Sequence, residues 1–229
     1  ERLSGCDRVL AYLAGGEPSA PRLVEGLRRL GERVVVFDPR PPSTCTGHVS
    51  THLMSPLASL GVAVPLEATP RLELASEGPV PSKNLVIVHP GSGGAFKCWP
   101  AAGFTAILDR LGELQIPAVV LWGPAEEERA SPFGEAFLGT PRLSPPSPLA
   151  LAEALRGARL YVGNDSGPGH LAAAVGTPSL SLFGPTDPGL WRPLGPRARV
   201  LQAPQGDLAR LQIDEVLAVL SELLAEAGP

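Results

Sequence analysis

An amide, a carboxylate, a hydroxyl and an imidazole lie close together in the run Val162-Gly163-Asn164-Asp165-Ser166-Gly167-Pro168-Gly169-His170-Leu171-Ala172-Ala173-Ala174-Val175-Gly176-Thr177-Pro178. The run reads as the end of a buried strand, a tight polar turn and the first turns of a small-residue helix. That arrangement sets Asp165, Ser166, His170 and unpaired backbone N–H groups around one point. The first N–H groups of a helix have no intrahelical partner and its dipole is positive there, so the place suits an anion. The plain alternative is that Asn164, Asp165 or Ser166 simply caps the helix and His170 packs.

A second turn, His89-Pro90-Gly91-Ser92-Gly93-Gly94-Ala95-Phe96-Lys97-Cys98-Trp99-Pro100, offers complementary chemistry. Its glycines let backbone approach a ligand closely, and Lys97 supplies a mobile positive charge, a combination suited to a pyrophosphate. It is not a P-loop: Phe96 stands where the glycine before the lysine belongs, and Cys98 replaces Ser or Thr. Phe96 also occupies the third glycine position of a dinucleotide fingerprint. A flexible loop with a solvated lysine is the alternative. A third segment, Phe183-Gly184-Pro185-Thr186-Asp187-Pro188-Gly189-Leu190-Trp191, either borders the same crevice or is a Pro-Gly turn. After Trp122-Gly123-Pro124 come Glu126, Glu127 and Glu128, which serve either as partners of a helix dipole or as an acid for a ribose. Trp99 and Trp191 read as packing residues.

These turns need strands and helices to hold them. Arg8–Ala14 and Arg33–Phe37 read as strands around a helix at Pro21–Leu30, and His48–Gly61 as a helix ended by Gly61. Proline-rich residues 65–84 read as an interdomain linker. Then strands at Leu85–Val88, Ala118–Trp122, Leu160–Val162 and Ser179–Phe183 alternate with helices at Pro100–Leu114, Ala125–Phe137, Leu149–Leu155 and Gly169–Val175. A last helix, about Asp214–Ala227, carries Ile213, Val216, Leu217, Leu220, Leu223 and Leu224 on one stripe. Such alternation implies α/β architecture with a parallel sheet covered on both faces, and ligands outside the carboxyl ends of its strands.

The totals agree. A chain of 229 residues with 44% hydrophobic content can bury a core, and 26 glycines and 27 prolines punctuate it. A net charge of −4 gives no electrostatic footprint for nucleic acid. Cys6, Cys45 and Cys98 are odd in number and scattered, which points to a reducing compartment and forms no metal-ligand pair. No apolar run approaches a membrane span and no signal peptide is visible. The chain begins at Glu1 and its one methionine is Met54, so it reads as a fragment of a longer protein.

Residues His89–Pro100, Gly163–Pro178 and Phe183–Pro188 together resemble the hallmark segments of family 9 glycosyltransferases, the ADP-heptose–lipopolysaccharide heptosyltransferase family. The resemblance is densest over residues 85–195. It implies a GT-B architecture of two Rossmann-like domains with parallel sheets, the first one incomplete here. Residues 1–64 would be the remnant of the acceptor-side domain, 65–84 the linker, and 85–212 the nucleotide-sugar domain. Residues 213–229 would be a helix crossing back to the first domain.

By the same resemblance, Gly91, Ser92 and Gly93 meet the donor's phosphate or sugar region. Lys97 neutralises the diphosphate and Asp165 bonds the sugar hydroxyls, the two being the catalytic choices. Ser166, Gly167, Pro168 and His170 line the diphosphate, and Glu127 takes the nucleoside side. Cys98 departs from the basic or polar residue expected there. The implied reaction is an inverting, metal-independent transfer of a heptose-like sugar from an ADP-sugar donor, with no cofactor. The acceptor would be a lipopolysaccharide core or another lipid-linked glycan. The enzyme would be cytoplasmic, with peripheral contact at the inner face of a membrane. The family's base is an acidic residue in a glycine-rich loop after the first strand, and neither that strand nor that loop is found in this chain. A nucleotide-sugar-binding module without catalysis is therefore a second reading. A GT-B-fold epimerase is a third, disfavoured because His170 and alanines follow the turn where epimerases carry glutamates.

Overall fold

The computed structural model describes residues 7–13, 20–29, 33–64, 69–75, 84–127, 134–145 and 147–228. Two units separate: Glu1–Ala68 with Gly189–Trp191, and Thr69–Pro188 with Arg192–Pro229.

In the first unit β1 (Arg8–Tyr12) and β2 (Arg33–Phe37) pair in parallel, Arg8 opposite Arg33 and Tyr12 opposite Phe37. The amphipathic α1 (Ala20–Arg28) connects them and buries Leu27. Helix α2 (Val49–Met54) starts at His48, whose Nδ1 accepts the Ser50 N–H at 3.2 Å. One helix was expected over 48–61. Instead the chain tightens into a 3₁₀ turn, Ser55–Leu60, with Pro56 near its start. A proline there cannot supply the N–H that would continue the α-helical ladder. The turn ends at Gly61, whose φ of 73° is the left-handed conformation expected of its glycine.

The second unit holds β3 (Val86–His89), α3 (Ala101–Glu113), β4 (Ala118–Leu121), α4 (Pro124–Glu127), β5 (Arg142–Leu143), α5 (Pro148–Gly157), β6 (Leu160–Asn164), α6 (Gly167–Ala174) and β7 (Ser179–Phe183). After a short α7 (Pro188–Trp191), whose last three residues count with the first unit, come β8 (Ala198–Gln202) and α8 (Ile213–Ala227). The sheet order is β5-β4-β3-β6-β7-β8, with every pair parallel. From β3 the chain moves outward to β4 and β5, then returns to add β6 on β3's other side. That reversal is the topological switch point, where such sheets open a crevice.

The strands β3, β6 and β7 are buried along their whole length, as a sheet with both faces covered requires. Alternate residues supply the two faces. Val86, Val88, Leu160, Val162, Leu180 and Leu182 share one core with Phe104, Ile107 and Leu111 of α3 and Val216, Leu220, Leu223 and Leu224 of α8. Ile87, Tyr161 and Leu121 share the other with Ala154 and Leu155 of α5 and Ala172 of α6.

The last helix counts with the second unit and packs its apolar stripe into that unit's core. Of the expected linker, residues 69–75 also belong to the second unit, and the Leu72 N–H donates to the Ala174 carbonyl at 2.8 Å. Residues 65–68 and 76–83 lie outside the described residues. The helix expected over 125–137 consists of α4 and a 3₁₀ turn at Glu135–Phe137, with 128–133 outside the described residues. Strands β5 and β8 were not foreseen. One has two residues and the other lies at the sheet edge, half-buried, so neither shows a long apolar run.

The fully buried Asn164 ties the switch point together. Its Oδ1 accepts the Trp99 N–H at 3.0 Å and its Nδ2 donates to the Pro90 carbonyl at 2.7 Å, so one amide holds both ends of the glycine loop. Replacing Asn164 with alanine leaves both backbone groups without this partner and is expected to cost about 3 kcal/mol. Urea unfolding of the two proteins measures this. A loss below about 1 kcal/mol, the size of one ordinary hydrogen bond, would refute the clamp.

Candidate functional site at the carboxyl ends of the sheet

In-register pairing of His89 with Gly163 brings the two polar turns side by side. The approach is close: a Cβ on Gly163 would lie 2.8 Å from the His89 carbonyl oxygen and 2.5 Å from the Tyr161 hydroxyl. The glycine loop leaves β3, passes Pro90, Gly91 and Ser92 in buried positions, and emerges at Gly93. A 3₁₀ turn at Ala95–Lys97 then aims Lys97 back at the neighbouring turn. The next residue but one, Trp99, anchors the loop. Its indole N–H donates to the Leu211 carbonyl at 3.1 Å, and its ring lies over Gly103, where any Cβ would meet it at 2.4 Å.

Lys97 Nζ donates to Asp165 Oδ2 at 2.9 Å, and Thr186 Oγ1 donates to the same oxygen at 2.7 Å. Ser92 Oγ donates to the Asp165 carbonyl at 2.8 Å. Three segments therefore meet on one acid, whose side chain is 9% exposed. Around it lies a hollow of about 370 Å³ lined by Ser92, Gly93, Gly94, Phe96, Lys97, Asp165, Ser166, Gly167 and His170.

Seven of the ten residues expected from the sequence line this hollow. Gly91 lies apart from it, with the Glu126 carboxylate over its Cα; an added Cβ would fall 1.4 Å from Glu126 Oε1. Pro168 stands in the first turn of α6 and does not line the hollow either. Glu127 is exposed and lines a second hollow of about 450 Å³ with Trp122, Gly134, Glu135, Leu138, Arg142 and Ser144. There the Arg142 guanidinium stacks over Trp122 at 4.0 Å.

Four residues of this region escaped the sequence reading as site residues. Thr186 was visible only as part of a proline-glycine segment, and Phe96, 71% exposed on the rim, only as a departure from known loops. Glu126 was read only as one of three glutamates, for a helix dipole or a ribose, and His89 as the start of the glycine loop; nothing local shows that they meet. His89 Nε2 lies 3.2 Å from Glu126 Oε1, and Glu126 Oε2 accepts the Gly123 N–H at 2.7 Å. His89 Nδ1 lies 3.1 Å from Ser166 Oγ and 3.2 Å from the Tyr161 hydroxyl. Burial pushes the Glu126 carboxyl up, but the hydrogen bond and charge of His89 and the Gly123 N–H outweigh it, so its pKa lies below the usual value. Burial drives the Tyr161 phenol well above its usual range, against a hydrogen bond from Ser166.

The arrangement combines an ammonium, a glycine-rich backbone, a helix N-terminus and a hydroxyl around one hollow, which suits a phosphorylated ligand bearing hydroxyls. Among the described residues no group of three His, Cys, Asp or Glu converges to hold a metal ion. No described helix is long and apolar enough to cross a membrane.

A doubly wound parallel sheet with a polar hollow at its switch point defines a Rossmann-like class of protein. Within that class, residues 57–219 match the model of Glycosyltransferase family 9 (heptosyltransferase), and the chain belongs to this family. It is 37% identical over 128 residues to lipopolysaccharide heptosyltransferase 1 of Escherichia coli strain K12, covering 56% of this chain and 40% of that protein. It is 41% identical over 106 residues to lipopolysaccharide heptosyltransferase 1 of Pseudomonas aeruginosa strain PAO1, covering 46% of this chain and 30% of that protein. Each match thus spans less than half of the relative's length. The solved structure described as E. coli heptosyltransferase WaaC with ADP superposes with a TM-score of 0.74 at 24% identity, covering 95% of this chain and 72% of that one. The fold is accordingly α/β of the GT-B type, represented here in part.

The depressed pKa of Glu126 has a stability consequence with a definite sign. A carboxyl whose folded pKa lies below its unfolded value stabilises the fold above the unfolded value, and that contribution disappears as pH falls through the folded one. Glu126→Gln is expected to lower stability by about 1–3 kcal/mol at neutral pH. The gap should shrink as pH falls below the usual carboxylate value of 4.5. Denaturant titrations at several pH values check this, and a gap that widens in acid would contradict the assignment.

Proposed function

We propose that this chain is the donor-binding part of a glycosyltransferase that moves a heptose-like sugar from an ADP-sugar to a lipopolysaccharide core or related lipid-linked glycan. The observation that carries the reading is the convergence of Lys97, Asp165, Ser166 and His170 on one hollow at the switch point. Family membership supports it, as do relatives that are themselves lipopolysaccharide heptosyltransferases. Those relatives favour neither a module without catalysis nor an epimerase. In this reading the diphosphate lies between Lys97, the glycine loop at Ser92 and Gly93, and the start of α6. Asp165 holds sugar hydroxyls. Gly91 acts by giving the loop its close path. Glu127 and the second hollow take the nucleoside.

The chemistry follows from the leaving group. As the bond from the anomeric carbon to the phosphate oxygen breaks, negative charge grows on the departing nucleoside diphosphate. An ammonium and oriented N–H dipoles placed there in advance stabilise that charge as it develops. Such a displacement needs no cofactor from the protein. The acceptor hydroxyl must give up its proton to a base, and none of the residues around this hollow is assigned that role. A lipid-anchored acceptor would bring the enzyme to the cytoplasmic face of a membrane as a peripheral visitor.

Calorimetric titration with ADP and an ADP-sugar tests the reading. Lys97→Ala should weaken both ligands about tenfold or more, since a charge-assisted contact to phosphate is lost. Asp165→Ala should separate them. It frees Lys97 from its ion partner, so ADP affinity should hold or rise, while the ADP-sugar loses affinity. Absence of ADP binding by the parent chain, or two variants that match the parent with both ligands, would rule out the donor site.

A further inference from the structure

Beneath the hollow runs a buried polar chain that the proposed reaction does not use. Glu126 is 2% exposed, His89 6% and Tyr161 fully buried, and neither His89 nor Glu126 lines the hollow. Burying a carboxylate and an imidazole is costly unless both are well bonded. Here both are, and the bonds lead in one direction. A carboxylate only accepts, so the nitrogen facing it, Nε2, carries a hydrogen in either charge state of the ring. That fixes the plane of the imidazole. Nδ1 is thereby aimed at Ser166 Oγ, 3.1 Å away on the next strand's turn.

Ser166 is the N-cap residue of α6, yet its hydroxyl makes no capping bond. It turns inward to His89 Nδ1 and to the Asn164 carbonyl, 3.1 Å away. A serine at this position ordinarily bonds the first-turn N–H groups. The inward turn leaves that role unfilled at the mouth of a helix that borders the hollow. Glu126 also supports the glycine loop, since its carboxylate rests over the Cα of Gly91.

We propose that His89 and Glu126 are positioning residues that act on the donor through Ser166. Glu126 orients His89, and His89 holds the Ser166 hydroxyl off the cap in one rotamer on the wall of the hollow, set to meet the diphosphate. This rests on the donor-site reading above.

A double-mutant cycle with ADP tests it on the whole 229-residue chain. His89→Gln and Ser166→Ala should each weaken ADP binding about tenfold, the order of one hydrogen bond. The double variant should bind no more weakly than Ser166→Ala alone, because His89 then has nothing left to position. Combined with Lys97→Ala, by contrast, His89→Gln should multiply its loss. A merely structural role would not distinguish these two partners. Thermal melts identify any variant that fails to fold. If His89→Gln fails to fold, Glu126→Gln replaces it and should show the same dependence on Ser166. Losses that multiply between His89 (or Glu126) and Ser166 would overturn the proposal while leaving the donor site intact. Failure of the parent to bind ADP would overturn the donor site and this proposal with it.

Discussion

The site depends on one side-chain amide. Asn164 sits at the last position of β6 with no exposure, and it meets the first and last backbone groups of the glycine loop. Without it, the loop between Pro90 and Trp99 would be tied through its own turns and the side chains of Ser92, Lys97 and Trp99. With it, the carboxyl ends of two strands become a single rigid edge. An asparagine serves here because it offers a donor and an acceptor from one planar group. An aspartate offers only acceptors and a leucine neither. The in-register pairing of His89 with Gly163 brings the strands together, and Asn164 converts that proximity into a defined hollow.

Electrostatics then act on a frame already in place. Lys97 has a long flexible stem, which in solution would sample many rotamers. In this structure it ends on Asp165, a nearly buried acid that also receives Thr186. The side-chain freedom that binding would otherwise remove is already reduced, a general route to affinity. The same pairing lowers the net charge presented to an anion. In the donor reading proposed above, a diphosphate would share Lys97 with the acid. Beneath it, hydrogen bonds lead from Glu126 through His89 to Ser166 on the wall of the hollow.

Much of this was legible along the chain. The apolar runs at Val86–His89, Leu160–Asn164 and Ser179–Phe183 are strands because fully buried parallel strands need unbroken apolar stretches. Lys97, Asp165, Ser166 and His170 were found from their types and their place after strands. Other features left no local trace. Three successive glutamates follow Trp122, and the sequence offers no reason to prefer one. The fold buries Glu126 against His89 and leaves Glu127 exposed in a different hollow. Strand β8 has only five residues of mixed character, because it lies at an edge where one side stays open. The last helix was rightly placed, and its apolar stripe packs into the core of the second unit. An amphipathic stripe shows that a helix has an apolar partner and does not say which one.

The sequence by itself determined the class of fold, the position of the polar turns at strand ends and the residue types available there. It could do so because those properties follow from local periodicity, turn chemistry and helix termini. The tertiary structure decided which residues meet: Lys97 with Asp165 across 68 positions, Asn164 with Pro90 and Trp99, His89 with Glu126 and Ser166. Those contacts arise from strand order, and strand order is set by how whole helices cover the two faces of the sheet. No short stretch of chain records that packing, so the partners of its charged groups become visible only once the sheet is assembled.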